Sequence, residues 1–209
     1  MGYSDSLAKW FFEHGAVSVA CEEELLWYAD HPPVRLDVQR LLSDGSGAKI
    51  VVDGMAHIVR ERKMKYERIL GAKQEDDSLA LRIADKLKCG HSRRFASDTN
   101  VLIVSGCLGD CTTETRKIRT LRDLGANIDN LLSVFDYQLP EARERLDGRM
   151  PPHRNERSLN YPCMPFALLT FNQLAAYAEK RGLWPADTLS GLRSVHEEKI
   201  AESILTKRA

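Results

Sequence analysis

The stretch from residue 101 to residue 125, VLIVSGCLGDCTTETRKIRTLRDLG, constrains the fold of this chain more than any other. Its first four residues form a continuous apolar, largely β-branched run, which is typical of a parallel strand buried on both faces. Apolar residues then recur at helical spacing up to Leu124, and Gly125 stands where a glycine commonly ends a helix. The predicted elements are a strand at 101–104, a loop at 105–111 and a helix at 113–124.

The predicted loop carries glycines and polar residues directly before the N-terminus of the helix. Gly106 and Gly109 tolerate positive φ angles, which lets backbone amides converge on an anion at a helix N-terminus. This arrangement predicts a phosphate-binding loop, but an ordinary turn between a strand and a helix has the same pattern, so both interpretations stay open here. We also expect Asp110 or Thr112 to cap the helix by accepting one of its free amide protons. The candidate phosphate-binding residues are Ser105, Gly106, Cys107, Gly109, Asp110, Cys111, Thr112 and Thr113.

Strand and helix patterns alternate through the rest of the chain. Residues 128–135 form a second apolar run, so the helix before them closes a βαβ unit. Further on, Thr170 and Gln173 have the spacing of a capping box, and Gly182 ends the helix that they begin. These patterns predict an α/β fold with a mainly parallel twisted sheet, helices on both faces and the strand at 101–104 in its centre. A ligand crevice is expected at the carboxyl end of that strand.

The composition argues against several classes of partner. Thirty basic residues balance thirty acidic residues among 209, so no broad electrostatic field attracts a nucleic acid or an anionic membrane. The first residues, MGYSDSLAKW, lack the cationic start and apolar core of a secretion signal, and no apolar run reaches membrane-spanning length. The five cysteines are not spaced as a secreted disulfide framework. We therefore expect an intracellular, cytoplasmic protein that contacts neither nucleic acid nor membrane.

Five segments occur in the order in which a known family arranges its elements. They are LAKWFFEHGAV, VRLDVQRLLSD, KYERILGA, VLIVSGCLGDCTT and ALLTFNQLAAYAEKRGL. In this order they resemble parts of the type I phosphoribosyltransferases, and more narrowly of orotate phosphoribosyltransferase. The first two resemble the opening helix and an early strand, the next two the strands before the pyrophosphate and phosphoribosyl-pyrophosphate loops, and the last the closing strand and helix. The resemblance covers roughly residues 7–183.

The resemblance implies a domain organisation and a set of partners. We expect a single α/β domain over residues 1–183, with a small subdomain contributed by both ends, and a C-terminal helical extension over residues 184–209. The segment at residues 166–169 would belong to the small subdomain. The resemblance also implies a homodimer that binds a phosphorylated ribose ligand or a nucleotide. Magnesium would be a cofactor if the protein is an active enzyme, and no other cofactor is implied.

The positions that carry the chemistry of that family differ in this chain. The family's loop opens with two acidic residues that hold the ribose hydroxyls and magnesium, whereas Ser105 and Gly106 stand there in this sequence. Asp110 places a carboxylate where the family cradles a 5′-phosphate, and a carboxylate at a helix N-terminus accepts the free amides itself. The glycine-rich pyrophosphate loop is replaced by KQEDDS at residues 73–78, and the long basic hood loop is shortened to about residues 90–98. The basic candidates on the pyrophosphate side are Lys73, Arg93 and Arg94.

Three hypotheses for the function follow. The first is an orotate phosphoribosyltransferase-like protein of the pyrimidine nucleotide metabolism type, with weak or lost transferase activity, no assigned catalytic residue, no metal site and a binding or regulatory role. The second is an active phosphoribosyltransferase with a nucleobase-like acceptor, in which Asp110, or Asp76 with Asp77, binds magnesium. The third is a zinc or redox site that forms if the shortened hood folds over the central loop. Its residues would be Cys89, His91, Cys107 and Cys111. The absent acidic pair favours the first hypothesis.

Overall fold

The fold is described for residues 2–19, 33–92, 94, 96–151 and 155–205 of a computed structural model, with the backbone alone for residues 202–205. A small antiparallel sheet pairs β1 (Val17–Val19) with β2 (Val34–Leu36). The main sheet has four parallel strands in the order of the chain: β3 (Arg68–Gly71), β4 (Val101–Leu108), β5 (Asn130–Asp136) and β6 (Met164–Thr170). β4 has a neighbour on each side, so the predicted central position of this strand is confirmed.

Helices surround the main sheet, and the predicted α/β architecture is confirmed. They are α1 (Tyr3–Glu13), α2 (Val38–Ser43), α3 (Gly45–Glu61), α4 (Asp77–Leu87), α5 (Thr112–Asp123), α6 (Pro140–Leu146), α7 (Phe171–Arg181) and α8 (Ala186–Leu205). One group contains α1, α3 and α4, in which α3 contacts both α1 and α4. In this group α1 and α3 contact β6, and α4 contacts β3. A second group contains α5, α6 and α8, while α7 lies beside β6 and contacts both α1 and α8. None of the helices in the described parts of the chain is both long and apolar enough to cross a membrane.

The path of the chain reverses its direction across the sheet at β3. After α4, Gly90 forms a single parallel bridge with Arg68 of β3, and the chain then returns to begin β4 on the opposite side of β3. In open α/β sheets, ligands bind at the carboxyl ends of the strands where such a reversal occurs. The carboxyl ends of β3 and β4 are therefore the expected location of a ligand crevice in this fold.

β4 is longer than the apolar pattern of the sequence predicted. The strand continues through residues 105–108, because these residues maintain the parallel register with β5. The predicted loop at residues 105–111 is therefore wrong over its first four positions, and only residues 109–111 separate β4 from α5. Glycine and other residues with little β preference give no local strand signal, so this extension is determined by pairing with the neighbouring strand.

The assignment of residues 166–169 to a small subdomain is also wrong. These residues lie in β6, which pairs with β5 along its length, from Asn130 opposite Met164 to Asp136 opposite Thr170. Leu168 and Leu169 are 5% and 0% exposed, and β6 is contacted by α1, α3 and α7. The segment is thus an edge strand of the main sheet. The division of the chain at residue 183 stays a prediction.

Helix boundaries follow the local signals that the sequence offers. Asp44 caps α3, since its carboxylate accepts a proton from the amide of Gly47 at 2.7 Å. The predicted capping box of α7 is confirmed: the hydroxyl of Thr170 accepts from the amide of Gln173, and the side chain of Gln173 accepts from the amide of Thr170. Gly182 ends α7 with a φ of 61°, a left-handed conformation that glycine adopts without steric cost.

Candidate functional site

The candidate site lies at the carboxyl ends of β3, β4 and β5 and in the segments that follow them, residues 72–76, 109–111 and 137–139. We call this region the crevice. The sequence-predicted residues Ser105, Gly106 and Cys107 are the last part of β4, and Thr112 and Thr113 begin α5. Arg94 is exposed in the segment before β4, and Arg93 lies outside the described residues.

Asp76 is the buried carboxylate at the centre of the crevice. The residue is 4% exposed; its Oδ1 accepts a proton from the amide of Gly106 at 2.8 Å, and its Oδ2 accepts from the amide of Lys73 at 3.1 Å. A Cβ atom at Gly106 would lie 3.3 Å from Asp76 Oδ1, so the carboxylate fills the space that a side chain at position 106 would need. Burial raises the pKa of Asp76 to about 6, against the two amide hydrogen bonds that favour its ionised form.

Lys73 points into the protein, towards a second buried carboxylate. Its Nζ lies 3.5 Å from Glu114 Oε1, and the hydroxyl of Ser105 donates to the same oxygen at 3.0 Å. Burial alone would lower the pKa of Lys73, but the carboxylates of Glu114, Asp76 and Glu75 outweigh it and raise that pKa. Lys73 therefore stays protonated, and its charge neutralises groups of the chain itself.

The N-terminus of α5 is occupied by a third carboxylate. Asp110 Oδ1 accepts from the amide of Thr112 at 3.0 Å, and Arg145 of α6 donates to Asp110 Oδ2 at 3.0 Å and to its backbone oxygen at 2.7 Å. Of the two residues expected to accept an amide proton here, Asp110 is the one that does so. Cys111 joins the loop to the helix with a φ of 60° and supplies no side-chain cap. An external anion at this helix end would have to displace Asp110.

We expect Asp110→Ala to lower the free energy of unfolding by about 1 kcal/mol, within the usual range for loss of a capping side chain. Arg145 would keep its bond to the backbone oxygen of residue 110, so the loss is limited to the cap and an exposed ion pair. Urea denaturation measures the change. Asp110→Asn retains an acceptor for the amide of Thr112 and is expected to lose less; equal stability of the wild type and Asp110→Ala would contradict the capping role.

Tyr137 closes the crevice on the side of the small sheet. It follows β5, is 5% exposed, and its hydroxyl donates to the backbone oxygen of Val34 in β2 at 2.6 Å. Its ring packs edge-on against Phe135 with the ring centroids 4.8 Å apart. The adjacent carboxylate of Asp136 accepts from the amide of Gln138 at 2.7 Å, and burial raises the pKa of Asp136. The space between the main and small sheets is thus filled by a side chain of the protein.

The proposed zinc or redox site is not formed. No three His, Cys, Asp or Glu side chains come together in a metal-binding arrangement anywhere in the described residues, so Cys89, His91, Cys107 and Cys111 do not converge. Burial raises the pKa of Cys107 to about 12 and raises that of Cys111 well above its ordinary value. Because the thiolate is the form that binds metals and reacts, these two protonated thiols suit neither role.

The crevice also does not fit the magnesium ion that the family resemblance implies. Magnesium needs free oxygen ligands, and positions 105 and 106 carry a hydroxyl and no side chain. The carboxylate of Asp76 accepts hydrogen bonds from two backbone amides. Glu114 forms an ion pair with Lys73 and accepts from a hydroxyl, and Asp110 accepts from an amide and from Arg145. Each of these carboxylates would have to give up its present partners before it could coordinate a cation.

Sequence reasoning missed three residues that shape the crevice. Glu114 had a detectable signal, because it lies four and seven residues before Ile118 and Leu121 on the buried face of α5, where a charge needs a partner. Tyr137 and Arg145 had none, since their partners lie in distant parts of the chain.

Comparisons with known proteins agree with this architecture. The sequence matches no protein-family model and no curated protein. Among solved structures, UMP synthase from Leishmania donovani is similar with a TM-score of 0.72 at 16% identity, over 94% of this chain and 43% of that one. Orotate phosphoribosyltransferase from Aeropyrum pernix gives 0.63 at 21% identity, over 85% and 99%. Adenine phosphoribosyltransferase from Leishmania donovani gives 0.60 at 12% identity, over 80% and 81%. Likeness at these low identities is evidence of the fold alone, and this chain has the fold of the type I phosphoribosyltransferases.

Proposed function

We propose that this protein is an orotate phosphoribosyltransferase-like protein that has lost the ordinary transferase reaction and has a binding or regulatory role. The observation that carries the proposal is the occupation of the crevice by the protein's own carboxylates. Asp76 accepts hydrogen bonds from the amides of Gly106 and Lys73, and Asp110 accepts one from the first amide of α5. Backbone amides and lysine are the groups that bind phosphate and pyrophosphate at such loops, and here they already have anionic partners.

The electrostatics of the transfer reaction support the same conclusion. Phosphoribosyl transfer develops positive charge on the ribose and negative charge on the departing pyrophosphate, and enzymes lower this barrier with preorganised groups. Removal of a single preorganised group commonly costs about 2.7 to 4 kcal/mol of transition-state stabilisation. Acidic residues at positions 105 and 106 would not by themselves restore activity, because they would face the buried carboxylates of Glu114 and Asp76.

The biological setting belongs to the same proposal. Solved relatives named orotate phosphoribosyltransferase and UMP synthase support a place in pyrimidine nucleotide metabolism, with a phosphorylated ribose or a nucleotide as ligand. The free thiols of Cys89, Cys107, Cys111 and Cys163 support a reducing, cytoplasmic location. The family resemblance supports a homodimer, which light scattering of the purified protein would test.

We expect conversion of orotate to its nucleotide to be absent or far slower than about one turnover per second. The assay mixes purified protein with orotate, phosphoribosyl pyrophosphate and magnesium and follows the loss of orotate absorbance, with the Aeropyrum pernix orotate phosphoribosyltransferase as positive control. Calorimetric titration with phosphoribosyl pyrophosphate, with and without magnesium, measures binding separately. Turnover of about one per second or faster, which begins at the low end of ordinary enzymes, would overturn the proposal. Magnesium-dependent binding together with turnover would instead support an active transferase with relocated carboxylates.

A further inference from the structure

His196 connects the C-terminal helix α8 to the crevice. The residue is 4% exposed, and its Nε2 lies 2.7 Å from the backbone oxygen of Tyr137. A carbonyl oxygen only accepts hydrogen bonds, so Nε2 carries a proton and donates it. The imidazole also stacks on Phe171, with ring centroids 4.3 Å apart and an angle of 21° between the planes. Packing and a hydrogen bond together fix this side chain.

Tyr137 joins three elements through its backbone amide, its backbone oxygen and its hydroxyl. Its amide donates to the backbone oxygen of Leu108 in β4 at 3.1 Å, and its backbone oxygen accepts from His196 of α8. Its hydroxyl donates to Val34 of β2 at 2.6 Å. The backbone of Tyr137 is therefore held by the main sheet and α8, while its side chain holds the small sheet against the carboxyl edge of the main sheet.

In the described residues, two ion pairs also connect α8 to neighbouring helices. The ion pair of Arg193 with Glu179 is solvent-exposed, and Lys199 Nζ lies 3.8 Å from Glu141 Oε1. Exposed ion pairs contribute little to stability. The buried side chains in the described part of α8 are Leu189, Leu192 and His196, which are 5%, 0% and 4% exposed. Of these three, His196 is the one that makes a hydrogen bond to the crevice.

We propose that α8 keeps the crevice closed through a strap formed by His196, Tyr137 and Val34, so that loosening of α8 releases β2 from the main sheet. This inference rests on the proposed function, because it takes the crevice as the ligand site. It adds that α8 controls access to the crevice. Opening of this kind needs only local separation of the small sheet, which costs less free energy than global unfolding. A regulator that binds α8 would thereby change the population of open crevices.

The test is alkylation of the full-length protein without ligand, followed by mass spectrometry and read as the ratio of the rate at Cys107, at the crevice end of β4, to the rate at Cys163, which is 0% exposed just before β6. Tyr137→Phe keeps the ring and removes the hydroxyl. It should raise the ratio about tenfold, which corresponds to about 1.4 kcal/mol and is typical of one buried hydrogen bond. His196→Phe keeps an aromatic ring against Phe171 but has no donor, and it should raise the ratio severalfold. Tyr177→Phe removes a hydroxyl on α7 and is the matched control.

Two results would overturn the strap. An unchanged ratio in Tyr137→Phe would mean that the tyrosine does not hold β2, and an unchanged ratio in His196→Phe would mean that α8 is not coupled to it. Global destabilisation accelerates the alkylation of both cysteines, so the ratio separates opening from unfolding. His196→Leu repeats the second test if His196→Phe does not fold. No ligand is used, so absence or presence of transferase activity leaves this result unaffected.

Discussion

Gly71→Ala should be among the most destabilising single-methyl changes in this protein, lowering the free energy of unfolding by about 3 kcal/mol. The added Cβ would lie 2.8 Å from the carbonyl carbon of Asp76, the amide nitrogen of Asp77 and the backbone oxygen of Lys73. All three are backbone atoms, so relief requires displacement of the turn that holds Asp76. A chain of this size should then lose about 6 to 12 °C in Tm. Urea denaturation and calorimetry measure both quantities.

Gly109→Ala is the matched control for this substitution. Gly109 lies in the loop after β4, and an added Cβ there meets nothing within 4 Å. Its φ is also outside the positive range, so alanine fits without backbone strain. We expect a change within about 0.5 kcal/mol, as for other surface substitutions. Similar losses in the two variants would show that close packing of the turn against β3 is not the cause.

The second large effect is a pH dependence that originates at Asp76. Because burial raises its pKa from 3.8 to about 6, the folded protein retains a proton that the unfolded chain has already released. Stability from this group is therefore fully present below about pH 4 and declines as the pH rises through about 6. A shift of roughly two pKa units corresponds to about 3 kcal/mol.

Asp76→Asn isolates this contribution, because asparagine does not titrate. The unfolding free energy of the wild type minus that of Asp76→Asn should fall by about 2.5 kcal/mol between pH 4 and pH 7. The variant also loses an amide hydrogen bond, which lowers its free energy of unfolding by the same amount at every pH. This loss therefore does not affect the change with pH. Asp123→Asn, at the exposed end of α5, gives the baseline for removal of a surface carboxylate. A difference that stays flat with pH would show that Asp76 is ionised in the folded protein throughout this range.

Local patterns predicted the elements well and the crevice poorly. The apolar run at 101–104 identified the central strand, because burial on both faces requires such a run. The same pattern ended four residues early, since residues 105–108 form a strand through pairing with β5. The phosphate-binding interpretation of residues 105–113 stays a prediction. It recognised a strand followed by a helix N-terminus, but not that Asp76, from a turn 30 residues earlier, accepts the amide of Gly106.

The sequence by itself determined the α/β class, the order of the strands and helices, and several helix boundaries. These features depend on residues a few positions apart: the capping box of Thr170 and Gln173 is complete within four residues, and Gly182 ends α7 through its own backbone freedom. Only the tertiary structure decided which polar groups meet in the crevice. The hydroxyl of Tyr137 bonds to Val34, 103 residues away, and this contact exists because the small sheet packs at the carboxyl ends of the main strands. Side chains brought together by packing have no fixed spacing in sequence, so their pairing follows from the fold as a whole.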